Sequence, residues 1–421
     1  MGPITLFDKS FLQMLNLDES SIFDALYSAV ICPIFYTEVL ADLSKQPTGE
    51  KTIEHVVADL ARKTPEMHST PNMMHVSICL AELTGQRIDM RHVPVKAGGR
   101  PVRHSSGVGV VFEEAPESRA FSRWQQQRFF EVEKDFAKDW RALLQKADHA
   151  LTARFAKQVL AIHDTPKSLE EAMAIAKEVV HGEGQQFYSL KVAYALLGLP
   201  PAEFPRIRAR WIKMGRRRLT EFAPYTAYCL LVDVFFHVAV DKKLISPDRA
   251  SNKIDIAYLY YLPFAMLFVS NDKLHRRVAP LFMDERQKFV VGAELKDDLA
   301  ALDAYYWNLP EDQRAQGLFR LASYPPNDDS FLTTRLWKHF GMRTERPKVD
   351  ENPTAMPKET VEKLLQRVKE MRELAKRPTG NFTREEFTDP DHMIVGRRVP
   401  ISRGKWRLMP PGVEADADGN D

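Results

Sequence analysis

In the stretch Asp255–His275, DIAYLYYLPFAMLFVSNDKLH, an acid opens an apolar segment, Pro263 interrupts it, and Met266–Ser270 then runs to a second acid, Asp272. A short apolar run bounded by breakers predicts a strand buried on both faces, the kind found in parallel sheets covered by helices. Asp255–Leu262 reads as the helix before that strand. Upstream, Ala227–Leu244 predicts a largely apolar helix, and downstream Lys288–Ala293 (KFVVGA) predicts another strand, with a helix from about Asp297. This alternation implies an α/β fold of three layers, with a mostly parallel central sheet flanked by helices.

The N-terminus has the same design. Ile4, Leu6 and Phe7 end in Asp8, again a buried strand finishing at an acid. Asp18 then reads as the cap of a helix reaching about Ala29, Pro33 as a break, and Thr37–Leu43 as the start of another helix. Glu38 and Asp42, four apart, share one face of it.

Residues 61–223 read as a mainly helical insertion between a first part of the α/β domain (1–60) and a second (224–342). Within it, 87–114 predicts a β-ribbon carrying Arg91, His92, Lys96, Arg100, Arg103 and His104, a candidate grip for phosphate or simply a solvated surface. Arg206–Arg218 (RIRARWIKMGRRR) sets Arg216, Arg217 and Arg218 beside Trp211, the strongest local phosphate-binding candidate. The extension 343–421 holds one amphipathic helix, Lys358–Lys376, expected to dock on the body, and an acidic tail expected to be disordered.

Bulk composition narrows the class. The 421 residues carry 59 Lys and Arg against 57 Asp and Glu, so a net charge of +2 does not mark a nucleic-acid binder and any phosphate surface is local. Cys32, Cys79 and Cys229 sit in apolar surroundings without ligand spacing, which predicts buried thiols and a reducing compartment. The chain opens without a signal-like core, and no apolar run reaches about 20 residues, so a cytoplasmic protein without a membrane partner is expected.

Four acids stand at informative places: Asp8 and Asp272 after strands, Glu38 and Asp255 at helix starts. Carboxyl ends of parallel strands and the adjoining helix starts open on one edge, so these side chains are expected to converge. Crowded carboxylates repel unless a cation neutralises them, and hard oxygen ligands favour Mg²⁺ or Mn²⁺. Such a metal activates water for phosphodiester hydrolysis. Ser10, Ser270 and Asn271 are expected to support the acids, Lys273 and His275 are candidate phosphate contacts, and Asp42 and Asp233 are reserve ligands. His237, on an apolar helix, reads as a satisfied core histidine. Each acid singly also reads as a turn or cap residue.

The segments ITLFDKSFL, CPIFYTEVLADL and DIAYLYYLPFAMLFVSNDKLH resemble the PIN-domain nucleases, whose pattern is an Asp ending the first strand, a Glu in a following helix, an Asp opening a later helix and a Thr/Ser-x-Asp motif after the next strand. These positions fall on Asp8, Glu38, Asp255 and Ser270-Asn271-Asp272. The likeness covers the regions near 1–60 and 225–310; the long insertion departs from it. The resemblance implies a PIN-like domain and a Mg²⁺- or Mn²⁺-dependent endonuclease acting on RNA, toxin-like or defence-related. A haloacid-dehalogenase phosphatase would need Asp-x-Asp, and Ser10 stands in the second position. P-loop and dinucleotide-binding motifs are missing. The competing non-enzymatic reading is a silent PIN-like scaffold, binding RNA, a protein or a second copy through the insertion or the C-terminal helix.

Overall fold

A computed structural model describes residues 2–46, 51–104, 107–146, 149, 152–154, 164–182, 186–345, 358–377, 393–397 and 399–410. Its centre is a five-stranded, wholly parallel sheet flanked by helices. The strands are β1 (Ile4–Phe7), β2 (Ser28–Ile31), β3 (Ser69–Pro71), and, after the ribbon strands β4 (Gly99–His104) and β5 (Gly107–Phe112), β6 (Leu267–Ser270) and β7 (Lys288–Val291). Their spatial order is β3-β2-β1-β6-β7. The pairs Thr5 with Ala29, Thr5 with Leu267 and Phe268 with Phe289 fix the register.

β1 is central because it is apolar on both faces: Leu6 and Phe7 are buried, and Phe7 meets Phe23 and Phe35 edge-on at 5.8 and 5.2 Å. A buried Phe is worth about 1.5–3 kcal/mol, which anchors the strand end from which Asp8 projects. Asp8 still donates its N–H to the Val269 carbonyl at 3.3 Å, so the sheet ladder holds its backbone.

Several boundaries differ from the sequence reading. Asn16, not Asp18, caps the helix α2 (Leu17–Leu26), in a capping box with Glu19, and the chain from Ser28 is strand, not helix. The apolar run SAVI follows the helix with only Tyr27 between them, so periodicity gave no separator. β3 is a polar three-residue edge strand ending in Pro71, without the apolar signature that reveals buried strands. The helix α3 (Pro33–Ala41) starts at Pro33 as its first residue, so Pro33 is an initiator and Glu38 lies inside the helix. Asp255 sits in the first turn of Asn252–Ala257, after which a 3-10 turn accommodates Pro263. The helix after β7 begins at Gly292.

The middle segment is mostly helical and shares the sheet's core: one apolar cluster runs from Leu6 and Val30 through Leu169, Trp211 and Phe235 to Trp337. The ribbon is narrower than 87–114: β4 pairs antiparallel with β5, and β8 (Met393–Val395) adds to β5 in parallel. Arg91, His92 and Lys96 therefore precede its strands. The helix Lys358–Ala375 docks through Met371 and Ala375 on Val102 and Val111, while Leu364 and Leu365 remain exposed. The predicted disordered tail, 411–421, lies outside the described residues. Among the described residues no helix is long and apolar enough to cross a membrane.

Candidate functional site: carboxylates at the sheet edge

Asp8 ends β1 and caps the helix α1 (Lys9–Met14), accepting from the Phe11 N–H at 2.9 Å. Ser10 Oγ donates to the same carboxylate at 2.8 Å and itself accepts from the Asn271 N–H at 3.1 Å. Ser270 Oγ donates to Asp8 Oδ2 at 2.7 Å and accepts from the Asp272 N–H at 3.0 Å. Both serines thus tie Asp8 to the turn after β6. Asp272 caps the helix Lys273–Val278 through the Leu274 N–H at 2.6 Å.

His275 is buried, correcting its reading as a phosphate contact at the surface. Its Nδ1 lies 2.8 Å from Ser270 Oγ and 3.2 Å from Asp8 Oδ2, and its Nε2 lies 2.7 Å from the Asp255 carbonyl. Burial alone would lower its pKa, but the hydrogen bond and charge of Asp8, with Asp255 behind it, raise it to about 9. His275 is therefore an imidazolium near neutral pH, an internal cation joining Asp8 to the Asp255 helix.

Glu38 reaches the same place from α3. Tyr258 Oη donates to Glu38 Oε2, and Lys9 Nζ stands 4.0 Å from Oε1 and 3.0 Å from Asp42 Oδ1. Burial raises the Glu38 pKa; Lys9 and Tyr258 partly offset this, and Asp8 adds to it. Asp255 is pushed up to about 7 by burial first, and then by Asp272 and Glu38, with His275 and Arg249 opposing. Its Oδ2 is buried and accepts no hydrogen bond among the described residues, though Arg249 Nη2 stands 3.3 Å away. The same nitrogen donates to Asp272 Oδ2 at 3.1 Å. Burial works against the Asp272 anion, but the Leu274 N–H, His275 and Arg249 prevail and lower its pKa.

The fold thus links the acids in a chain of pairs, Asp8 with Glu38, Glu38 with Asp255 and Asp255 with Asp272, with Ser10, Ser270 and His275 around Asp8 and Asn271 bonded to Ser10. Lys273 is exposed beside Asp272. Arg216, Arg217 and Arg218 lie elsewhere, in the link between the helices Phe204–Lys213 and Leu219–Phe222, which pack on His75–Thr84 and on Pro224–Asp241. Asp42 is engaged by Lys9 and Lys45. Asp233 is paired with Lys253 and Tyr260 in a separate buried group. His237 is buried as expected, yet its Nδ1 has no hydrogen-bond partner among the described residues, and burial lowers its pKa to about 4. Sequence reasoning missed Lys9, Tyr258 and Arg249. The first two carry a signal, one adjacent to Asp8 and one a helical turn beyond Asp255, whereas nothing around Arg249 announces it.

Among the described residues no three His, Cys, Asp or Glu side chains stand in an arrangement that holds a metal ion. The donors nevertheless suit a hard divalent cation in type. Carboxylate oxygens are the ligands such a cation takes, and the buried Oδ2 of Asp255 accepts no hydrogen bond among the described residues, its ion-pair partner Arg249 standing 3.3 Å away. Arg249 spans Asp255 and Asp272 where a cation would relieve them. Comparison with models of known protein families, with curated proteins and with solved structures returns no match.

Proposed function

We propose that this carboxylate cluster binds Mg²⁺ or Mn²⁺ and that the protein is a metal-dependent endonuclease hydrolysing phosphodiester bonds in RNA, on a PIN-like domain elaborated by the helical insertion and the C-terminal extension. The observation that carries the reading is Asp255: a buried carboxylate whose Oδ2 accepts no hydrogen bond among the described residues and has the half-exposed Arg249 as its ion-pair partner, with a pKa near 7 raised first by burial and then by Asp272 and Glu38. Such a group is costly unless a task or a cation repays it.

Asp8, Glu38, Asp255 and Asp272 are the residues that would hold the cation. When bound, the cation lowers the pKa of a water and stabilises the leaving oxygen. The other residues orient the acids: Ser10 and Ser270 fix both oxygens of Asp8, His275 holds Asp8 against the Asp255 helix, and Tyr258 fixes Glu38. Exposed Lys273 and Arg249 offer positive charge to a phosphate at the rim.

A second reading is a silent scaffold that binds RNA or a protein. What favours it is that Lys9 and Arg249 already neutralise part of the cluster. The deciding experiment compares wild type with Asp8→Asn and Asp272→Asn on labelled RNA and DNA with Mg²⁺, Mn²⁺ or EDTA. Metal-dependent cleavage, reduced at least about 100-fold in both variants, is expected. No cleavage together with no calorimetric Mn²⁺ binding sinks the enzyme reading.

A further inference from the structure

On the other side of α3 from the carboxylates lies a cleft of about 530 Å³, bounded by the ends of β2 and β3, the ribbon, Arg397 after β8, and the start of the helix Pro116–Gln125. Its volume is that of a small-molecule site. α3 separates it from the acids: Tyr36 lines the cleft, and Glu38, two residues on and so on the opposite face, belongs to the cluster.

Three features at this cleft lack a hydrogen-bonding, ionic or capping side chain among the described residues. Asn72 is 6% exposed, and its Oδ1 accepts from the Met73 and Val95 N–H groups, both at 3.0 Å. Those two bonds fix the amide, so Nδ2 is the free end, and it is buried without an acceptor among the described residues. Lys96, the next residue after Val95, is half-buried above the Phe112 ring, and no carboxylate pairs with it among the described residues. Burial and the neighbouring Arg397 lower its pKa, as befits a cation that lacks a counterion. The helix Pro116–Gln125 opens on the same cleft with no side chain capping it.

Glu66, Glu113, Glu114 and Glu117 also line the wall, which bears on the sign of the ligand; Glu114 has an interaction of its own. Glu66 is taken by Arg403 at 2.7 Å and Gln125 at 2.8 Å, and Glu113 lies 3.9 Å from Arg100. Glu117 sits in the first turn of the helix, where a carboxylate complements the dipole. Arg397 is pinned by three carbonyls, those of Glu66, Met67 and Ser69, which fixes its charge beside Lys96.

The geometry points to a second ligand site in this cleft, for a nucleoside monophosphate whose phosphate lies at Lys96 and Arg397 and whose base presents an acceptor to Asn72 Nδ2. Phe112, Met73 and Tyr36 supply the apolar wall for the base. Because Oδ1 of Asn72 is already used, the amide donates only, and it selects a base edge with a carbonyl or an unprotonated ring nitrogen. This site does not rest on the metal reading.

Titration calorimetry of the full chain in EDTA with the ribonucleoside monophosphates tests it, since metal-dependent cleavage is then silent. Saturable binding is expected, weakened about tenfold by Lys96→Ala and by Asn72→Asp, which keeps Oδ1 but replaces the donor. Lys96→Ala alters a half-buried side chain and serves as the test if Asn72→Asp does not fold. No binding at about 1 mM, or wild-type affinity in Lys96→Ala, overturns the site. Inorganic phosphate binding as tightly as the nucleotides, or a preference for succinate over all of them, overturns the nucleotide assignment.

Discussion

Ser270 Oγ stands 2.7 Å from Asp8 Oδ2 across 262 residues of sequence, and the same hydroxyl accepts the Asp272 N–H. One buried hydroxyl thus joins the first strand's acid to the turn that carries the last one. Ser270→Ala leaves that N–H without its acceptor and removes one donor from Asp8 Oδ2, which keeps Ser10 and His275, and costs about 1–3 kcal/mol. Urea unfolding measures it, and an unchanged midpoint would show that the hydroxyl organises nothing.

His275 links stability to pH. Its folded pKa of about 9 exceeds the usual 6.5, so the stabilisation from its charge is complete below about pH 6.5 and is lost as pH rises through 9. Denaturant titrations in EDTA should show wild type losing stability over that window relative to His275→Gln. A difference that stays constant from pH 6 to pH 10 would contradict the imidazolium assignment.

Asp255 has the opposite economy of charge and burial. An acid whose folded pKa lies near 7, against an ordinary 3.8, favours folding at low pH and loses that contribution as pH climbs towards 7. Asp255→Asn should therefore stabilise the metal-free chain at pH 8 by about 2–4 kcal/mol. Mn²⁺ should raise the melting temperature of wild type and leave that of the variant unchanged; a destabilised variant would mean the ionised carboxylate already has adequate partners.

Arg249 bridges Asp255 and Asp272 from a half-exposed position. Its contribution to stability is screened, so Arg249→Ala should shift the unfolding free energy by less than about 1 kcal/mol. Removing an internal competitor should instead tighten Mn²⁺ binding, by about tenfold in calorimetry. Weaker Mn²⁺ binding would show that the guanidinium assembles the site instead of competing for it.

How far the sequence could be read followed the physics of each segment. β1 and β6 were legible because strands buried on both faces leave unbroken apolar runs, and the acids after them could be placed on one edge by the parallel rule alone. β2 was hidden because its apolar run adjoins a helix, and β3 because an edge strand of Ser, Thr and Pro has no burial to advertise. Tertiary contacts that no local window contains claim part of the basic run, while Arg216 and Arg217 stay exposed. In 206–218, Trp211 is buried, Arg210 binds the Leu83 carbonyl and covers Phe222, and only part of the basic run remains at the surface. Arg249 acts on two acids brought together by the fold, a relation that no window of sequence contains.

The strand order also has a consequence for synthesis. β1 is made first, yet its partner on one side, β6, is made some 260 residues later, with Leu267 the first of its residues to pair. Until then β1 offers an open edge to the ribosome's surroundings, and Asp8 lacks Ser270, Asp255, Asp272 and His275 altogether. A chain not yet extended past His275 therefore has no assembled carboxylate cluster, so its chemistry waits on the pairing of β6 with β1.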